Sequence, residues 1–423
     1  MKAIKFTKSA VLSFMFLFYG FLNSSNAQWV QVSNGMGNNA FVSSLAANVN
    51  TIFAGTNASP NIHVYKSTNN GTTWTETSLN GLLEVTSLAA NGNNIFAGTY
   101  HINYYHPRPF VFLSTDNGTT WTQTSLNNQD IHSLAVNGNN VFAGTSGSVY
   151  KSTDNGTNWT QTSLIGYITS LAANGNNIFA GATSPYGQWS GSVNLSTDNG
   201  TTWGVRLELY YKSFFSLAVN GNNVFAGTSG VGVYKSTDNG TTWTHTSLNN
   251  QYVRSLAVKG NNVFAGTDSN GVYVSTNNGT NWMPWNEGLG NTTVNALCIS
   301  NDYIFAGTGN SVYRRTLELT GIQPISGQLP AHFELSQNYP NPFNPSTKIK
   351  FQMPNEVFVK LIVFDVLGRE VAILVNEQLK PGTYEVDWNA SNFSSGVYFY
   401  QLTVSSEQLT EMYRDTKRMI LIK

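Results

Sequence analysis

The chain has 423 residues, of which 40% are hydrophobic, so it is long enough for two or three domains with apolar cores. Basic and acidic residues number 22 each and charged residues make up only 10%, which leaves no electrostatic footprint for nucleic acid or an anionic membrane. The single cysteine, Cys298, excludes a disulfide within the chain, and its apolar setting predicts a packing residue rather than a nucleophile.

Residues 1–27 are predicted to be a removable export signal. Lys2, Lys5 and Lys8 precede an apolar run that is too short to span a bilayer comfortably, and small residues follow at the expected cleavage site. We expect cleavage near Ala27, before Gln28; an uncleaved anchor is the alternative. No later stretch is long and apolar enough to cross a membrane, so we expect a soluble mature chain, exported through the periplasm to the extracellular space or the outer-membrane surface.

A repeat governs the residues that follow. The phrase "IFAGT" or a near copy recurs at intervals of 37 to 46 residues, which is the spacing typical of a β-propeller. The phenylalanines of these copies are Phe53, Phe96, Phe142, Phe179, Phe225, Phe264 and Phe305.

Each repeat predicts four strands, a to d. Strand a is the run at Val85–Asn91, an Asn-Gly turn leads into strand b at Ile95–Thr99, and strands c and d flank a Ser-Thr-Asp-Asn-Gly turn. The last repeat lacks strand d, and Gln28–Ser33 has the pattern of the missing copy. We therefore predict that residues 28–320 form a seven-bladed β-propeller, in which the N-terminal strand completes the last blade and leaves no open sheet edge.

The turn between strands c and d carries the motif "STDNGTTW", as at Ser114–Trp121. It resembles the Asp-box best known from sialidases, and that resemblance implies turns remote from any active site. The aspartate side chain can cap turn amides, the glycine can take a positive φ angle and the tryptophan can pack between sheets. Asn69 and Asn277 replace the aspartate in two copies, and an amide cannot act as a general acid or a nucleophile. We predict a structural role for Asp116, Asp154, Asp198, Asp238, Trp74, Trp121, Trp159, Trp203, Trp243 and Trp282.

Sequence variation concentrates at the opposite end of the predicted blades, where strands a begin and the b–c loops lie. Aromatic side chains beside arginine and carboxylates are typical of surfaces that bind carbohydrate or peptide. We predict that this face binds an extracellular glycan or protein; the alternative is that long loops merely tolerate insertions. The predicted ligand-binding residues are Tyr104, Tyr105, His106, Arg108, His132, Tyr167, Tyr186, Trp189, Tyr252 and Arg254.

The same face allows two other functions, an enzymatic one and a purely structural one. Glu84 and Asp130 occupy equivalent registers of neighbouring repeats, and a carboxylate pair is what a glycoside hydrolase or lyase requires. Sialidase chemistry, as the Asp-box resemblance implies it, needs three converging arginines, and only Arg108 and Arg254 are well placed. The chain is therefore predicted to be a non-enzymatic binding protein, and a purely structural surface repeat protein is the third possibility. We expect no cofactor, no metal site and a monomer.

After the repeats, residues 321–332 are predicted to be a linker and residues 333–423 a small Ig-like β-sandwich. The prolines between Tyr339 and Ser346 forbid a helix and favour an extended strap, after which strands alternate with glycine-containing turns. The motifs "YPNPFNPSTKIKF", "DVLGREV", "GTYEVDWNA", "SSGVYFYQL" and "TKRMILIK" resemble the type A C-terminal sorting domain of the type IX secretion system of Bacteroidota.

This resemblance implies passage across the outer membrane through the type IX machinery, followed by removal of the domain as the protein is anchored or released. The segment "VSSEQLTEMYRDT" departs from the family by its length and by the absence of a glycine in the final turn. An accessory Ig-like domain unrelated to sorting is the alternative.

Overall fold

The computed structural model describes residues 28–37, 40–57, 63–80, 84–100, 110–183, 190–317, 324–326, 329–379, 381–390, 393–405 and 411–423. These residues contain no helix and form repeated four-stranded antiparallel sheets, which confirms the all-β prediction. In this part of the chain no helix has the length and apolar character needed to cross a membrane. The predicted export signal lies outside the described residues, and so do Tyr104, Tyr105, His106, Arg108, Tyr186 and Trp189.

The strands of the repeats follow one another in sheets of four. The first strand that the structure describes is β1 (Val30–Gln31). The first sheet contains β2 (Val42–Ala47), β3 (Ile52–Thr56), β4 (His63–Ser67) and β5 (Thr75–Asn80), and the second contains β6 (Glu84–Asn91), β7 (Asn94–Tyr100), β8 (Phe110–Ser114) and β9 (Thr122–Asn127). The third contains β10 (Ile131–Asn137), β11 (Asn140–Thr145), β12 (Ser148–Ser152) and β13 (Thr160–Ile165).

The next three sheets contain β14 (Tyr167–Asn174), β15 (Asn177–Thr183), β16 (Ser190–Ser196), β17 (Gly204–Tyr210); β18 (Phe214–Asn220), β19 (Asn223–Thr228), β20 (Val233–Ser236), β21 (Thr244–His245); β22 (Val253–Lys259), β23 (Asn262–Thr267), β24 (Val272–Ser275) and β25 (Met283–Pro284). The seventh four-stranded sheet in the described part of the repeats contains β26 (Val294–Ser300), β27 (Tyr303–Thr308), β28 (Val312–Thr316) and β1.

The N-terminal strand occupies the position that the last repeat leaves open. Val30 is paired with Arg314 and Gln31 with Tyr313. Beside this strand, Trp29 is buried, its indole nitrogen donates a 2.6 Å hydrogen bond to the carbonyl of Trp285, and the two tryptophan rings lie 5.5 Å apart. Outer-strand pairing and aromatic burial thus tie the beginning of the chain to the end of the repeats.

Neighbouring sheets pack face to face because strand b carries a glycine where the next sheet comes close. A Cβ atom on Gly98 would lie less than a normal contact distance from Ile131 of the following sheet, and one on Gly307 would lie 2.5 Å from Val42. Gly307 belongs to the last sheet and Val42 to the first, so the series of sheets closes on itself. Strand b itself is fully buried, as the pattern of Ile52–Thr56 shows.

The C-terminal residues form two further sheets around one separate core. Their strands are β29 (Pro324–Ser326), β30 (Glu334–Leu335), β31 (Ser346–Met353), β32 (Val357–Phe364), β33 (Glu370–Leu379), β34 (Gly382–Asn389), β35 (Gly396–Ser405) and β36 (Glu411–Leu421). One sheet has the order β29-β34-β31-β30 and the other β33-β32-β35-β36. The core between them includes Phe351, Trp388 and Tyr400.

Two features of this region add to the sequence-based description. Strand β29 falls within the predicted linker and pairs with β34, so the sheet begins before residue 333. The proline-rich strap is fastened to the last strand: the amide of Phe343 donates to the carbonyl of Ile420 at 2.9 Å, and the amide of Ile422 donates back to the carbonyl of Phe343 at 2.9 Å.

Candidate ligand-binding site

The ends of the sheets at which strands a begin form what we call the mouth. One residue inside each strand a, the register with strand b shifts and leaves a bulged residue, as between Val85 and Ser87. Counted over the described repeats, there are seven such positions, and together they form the bulge ring. Its members are Ser43, Thr86, His132, Thr169, Phe215, Arg254 and Asn295.

Four members of the bulge ring link neighbouring sheets. The hydroxyl of Ser43 donates a 2.5 Å hydrogen bond to the carbonyl of Val85 in the next sheet. Thr169 donates in the same way to Phe214 at 2.5 Å. Thr86 donates to Ile131, and the amide nitrogen of Asn295 donates to Val42 at 3.1 Å. A small polar side chain at this position therefore has a structural function, which is to join adjacent sheets.

His132 breaks this pattern and forms a contact between aromatic rings instead. Its ring lies 4.4 Å from that of Tyr167 in the next sheet and 5.8 Å from that of Tyr100 in the preceding one. Nε2 lies 2.9 Å from the hydroxyl of Ser146, and Nδ1 lies 3.5 Å from the hydroxyl of Tyr167. Tyr100, His132 and Tyr167 form a series across three sheets that we call the aromatic ladder.

Two members of the ladder, His132 and Tyr167, have pKa values shifted towards their neutral forms. Burial lowers the pKa of His132 below its ordinary value of 6.5, and the nearby carboxylate of Asp130 opposes that shift. Burial raises the pKa of Tyr167 above its ordinary value of 10.0, and the neighbouring Tyr100 and Asp130 act in the same direction. The two electrostatic effects of Asp130 place its charge beside the ladder.

Glu84 lies next to the ladder, as the cross-strand pairing shows. It is the cross-strand partner of Tyr100, so both side chains emerge on the same face of their sheet. Burial raises the pKa of Glu84 above its ordinary value of 4.5. Within the described residues its carboxylate has neither a hydrogen bond nor an ion pair, which is unusual for a half-buried charged group.

The other two large members of the bulge ring lie further round the mouth. Arg254 contacts Asp268 through both Nε and Nη2, each 2.5 Å from Oδ1. Phe215 and Tyr252 are 39% and 54% exposed, which is high for aromatic side chains. The structure thus brings His132 and Tyr167 into contact. It places Arg254 in β22, two sheets beyond Tyr167, and Tyr252 directly before that strand.

The sequence interpretation overlooked two residues of this surface. Tyr100, the last residue of β7, is not among the predicted ligand-binding residues, although its ring reaches His132. Phe215 stands in the same register as His132 and Arg254, one residue after an aligned apolar residue, and that alignment was a sufficient signal. Tyr210 and Tyr211, at the end of the outer strand β17, are also exposed.

The Asp-box residues lie at the opposite end of the sheets, in the turns between strands c and d. The Oδ1 atom of Asp116 accepts hydrogen bonds from the amides of Thr119 and Thr120 at 3.0 and 2.8 Å, and Ser114 donates to it at 2.8 Å. These donors, the Thr120 amide first, lower the pKa of Asp116 to about 2. Corresponding hydrogen bonds lower the pKa of three further aspartates, Asp154, Asp198 and Asp238.

Asparagine serves the same turn in the first and sixth boxes. The Oδ1 atom of Asn69 accepts from Ser67 at 2.9 Å and from the amide of Thr73 at 3.0 Å, while Nδ2 donates to the Thr73 hydroxyl at 2.9 Å. The box tryptophans lie beside these turns, and their indole nitrogens are bonded in most copies. Trp74 donates to Val32, Trp159 to Gly156, Trp203 to Gly200, Trp243 to Gly240 and Trp282 to Gly279, whereas Nε1 of Trp121 has no partner.

Among the residues that the structure describes, no cluster of three or more histidine, cysteine or acidic side chains could hold a metal ion. Cys298 is buried, and burial raises the pKa of its thiol to about 12.

Comparisons with known proteins give a family for the C-terminal sheets and a fold for the repeats. Residues 337–413 match the family model of the secretion system C-terminal sorting domain. This match confirms the predicted type IX sorting domain and indicates export to the cell surface or outer membrane. No curated protein matches the chain in sequence.

Solved β-propeller structures are similar to this chain in fold. YCF48 bound to D1 peptide has a TM-score of 0.52 and 16% identity, covering 68% of this chain and 96% of that one. A GH74 enzyme from Niastella koreensis has a TM-score of 0.52 and 18% identity, with coverages of 91% and 67%. The GH74 xyloglucanase from Xanthomonas campestris has a TM-score of 0.55 and 13% identity, with coverages of 92% and 74%. These likenesses confirm the predicted β-propeller.

Proposed function

We propose that this chain is an exported seven-bladed β-propeller that binds an extracellular ligand at its mouth. The observation that carries the proposal is the replacement, at His132, of a hydrogen bond between sheets by an aromatic ladder. Positions that depart from a structural pattern kept elsewhere in the fold are expected at functional sites. The partly exposed ring of Tyr167 provides apolar surface, and Glu84, which has no partner among the described residues, provides a hydrogen-bond acceptor beside it.

The proposal includes the way in which the protein reaches its place of action. A signal at residues 1–27 is removed near Ala27, and the propeller covers residues 28–320. An Ig-like sandwich at residues 333–423 engages the type IX secretion machinery, after which the propeller is anchored to the surface or released. The Asp-boxes are structural in this proposal, supported by their distance from the mouth and by the capping of two turns with asparagine.

The binding proposal is tested with the chain from Gln28 to Lys423 on glycan and peptide arrays. For any ligand found, Tyr167→Ala should weaken binding at least about tenfold, because a stacked aromatic side chain is removed from the contact. Tyr339→Ala is the matched control, since Tyr339 is 80% exposed and belongs to the C-terminal domain. Equal binding by the two variants would contradict the proposal.

A glycoside hydrolase or lyase is the second candidate function, because one specific observation favours it. The raised pKa of Glu84 is the property of a general acid in glycoside hydrolysis, with Asp130 as the second carboxylate. Release of reducing sugar from a bound polysaccharide, lost in Glu84→Gln and in Asp130→Asn with binding retained, would establish this function. Binding without product would exclude it for that polysaccharide.

A further inference from the structure

The mouth has the features of a site for one organic cation. We propose that it receives the side-chain ammonium of a lysine from a protein or peptide partner, held between the carboxylate of Glu84 and the rings of the aromatic ladder. This inference rests on the proposed function, because it names the ligand chemistry of the same site.

The first argument concerns Glu84. The Asp-box aspartates are surrounded by donors, and several other carboxylates have basic partners, as Glu287 has Arg315 at 3.0 Å. Glu84 is half-buried and has no such donor in the described residues. A partly desolvated carboxylate is stabilised by a hydrogen-bond donor that carries positive charge, and an ammonium group supplies three such donors.

The second argument concerns the rings beside Glu84. Tyr100 and Glu84 are cross-strand partners, and Tyr100 contacts His132, which contacts Tyr167. The electron-rich faces of tyrosine rings attract cations, and more strongly where water is partly excluded. The charge of Asp130 acts on both His132 and Tyr167, so the potential along the ladder favours a cation and opposes an anion.

The third argument separates an ammonium from a sugar ring. The faces of the His132 ring lie against the two tyrosine rings, at interplanar angles of 34° and 45°. The His132 ring therefore has no open face on which a pyranose could stack, whereas the partly exposed ring of Tyr167 can still contact a narrow ligand. A lysine side chain makes a smaller demand, since its four-carbon stem is narrow and its charge is compact.

The test uses the chain from Gln28 to Lys423 and four defined probes, observed by ligand-detected NMR titration. They are the peptide acetyl-Gly-Lys-Gly-amide, the same peptide with Nε-acetyllysine, acetyl-Gly-Glu-Gly-amide, and cellotetraose as an uncharged oligosaccharide. We expect the lysine peptide to bind with a Kd of about 1 mM or tighter. Acetylation removes the charge and should weaken binding at least about tenfold.

Glu84→Gln preserves shape and removes the charge, so it should also weaken lysine-peptide binding about tenfold. Glu208→Gln is the matched control, because Glu208 is exposed on the outer strand β17, and it should bind as the unaltered chain does. Binding of the lysine peptide should also fall on acidification, as Glu84 becomes protonated.

Three outcomes would overturn the inference. Equal binding of the acetylated and unmodified peptides would show that charge is not recognised. Binding of cellotetraose but not of the lysine peptide, weakened by Tyr167→Ala, would refute the cation and leave the proposed binding function standing. If none of the four probes binds, and if Tyr167→Ala also leaves binding of the array ligands unchanged, both the lysine site and the proposed binding function of the mouth are refuted.

Discussion

The two ends of the propeller place carboxylates of the same repeat in different environments. At the Asp-box end, each aspartate is surrounded by donors and its pKa is lowered. At the mouth, burial raises the pKa of Glu84, which has no partner among the residues that the structure describes. Near-identical sequence accompanies the first environment and variable sequence the second. Repeats remain alike where the turn itself satisfies the box carboxylate or amide, and they diverge at the mouth, where polar groups are available to a ligand.

The largest effect is expected at the last repeat, where two tryptophans take the place of the missing Asp-box. In six repeats the box glycine packs on a strand-b phenylalanine of the preceding sheet. The last repeat has no box, so no box glycine covers Phe264. The ring of Trp285 lies 5.4 Å from that of Phe264 instead, and Trp29 packs against Trp285. Trp29→Ala should lower the free energy of unfolding of the propeller by about 4 kcal/mol, measured by chemical denaturation. Trp121→Ala, at a partly buried box tryptophan without an indole partner, should cost clearly less. Equal losses of unfolding free energy in the two variants would contradict a special role for Trp29, where the N-terminal strand joins the last sheet.

A box glycine offers the next largest effect. Gly118 has a φ angle of 78°, and a Cβ atom there would lie 2.6 Å from the Phe53 ring. Gly118→Ala should therefore destabilise the propeller by about 3 kcal/mol, from backbone strain and overpacking together. Gly138→Ala is the matched control, since Gly138 has a φ angle of 58° but open space around its Cβ position, and it should cost about 1 kcal/mol. A cost at Gly118 no greater than at Gly138 would mean that the packing on Phe53 is unimportant.

The four box aspartates together should contribute to the loss of thermal stability at acidic pH. Their carboxyls have lowered pKa values in the folded chain, about 2 for Asp116, Asp154 and Asp238, against an ordinary value of 3.8. A lowered pKa stabilises the fold above the unfolded value, so this contribution is lost as pH falls from about 4 to about 2. Replacing all four box aspartates by asparagine should flatten the fall in thermal midpoint over that range. An unchanged acid limb in the substituted chain would contradict this origin.

The sequence predicted the fold better than the site, for a physical reason. Turn residues and buried strands repeat, so the "IFAGT" period and the Asn-Gly turns were sufficient to predict the sheets and the N-terminal strand that joins β28. The ladder depends on rings from three sheets, and Tyr100 and His132 are 32 positions apart. The register of strand a indicated His132 and Tyr167 as mouth residues, but no pattern within one repeat predicted their stacking or the burial of Glu84.

The smallest expected effect tests the comparison most directly. His132→Thr would install at the third bulge position the side chain that links sheets at Thr86 and Thr169. One recovered hydrogen bond should raise the free energy of unfolding by about 1 kcal/mol, while loss of the ladder abolishes ligand binding. The reverse change, Thr86→His, should lower stability by a similar amount without creating a binding site, since Asp130 rather than a tyrosine precedes Ile131 in the next sheet. A His132→Thr chain that gains no stability would mean that the bulge ring does not join the sheets, and the contrast between the two ends would lose its energetic basis.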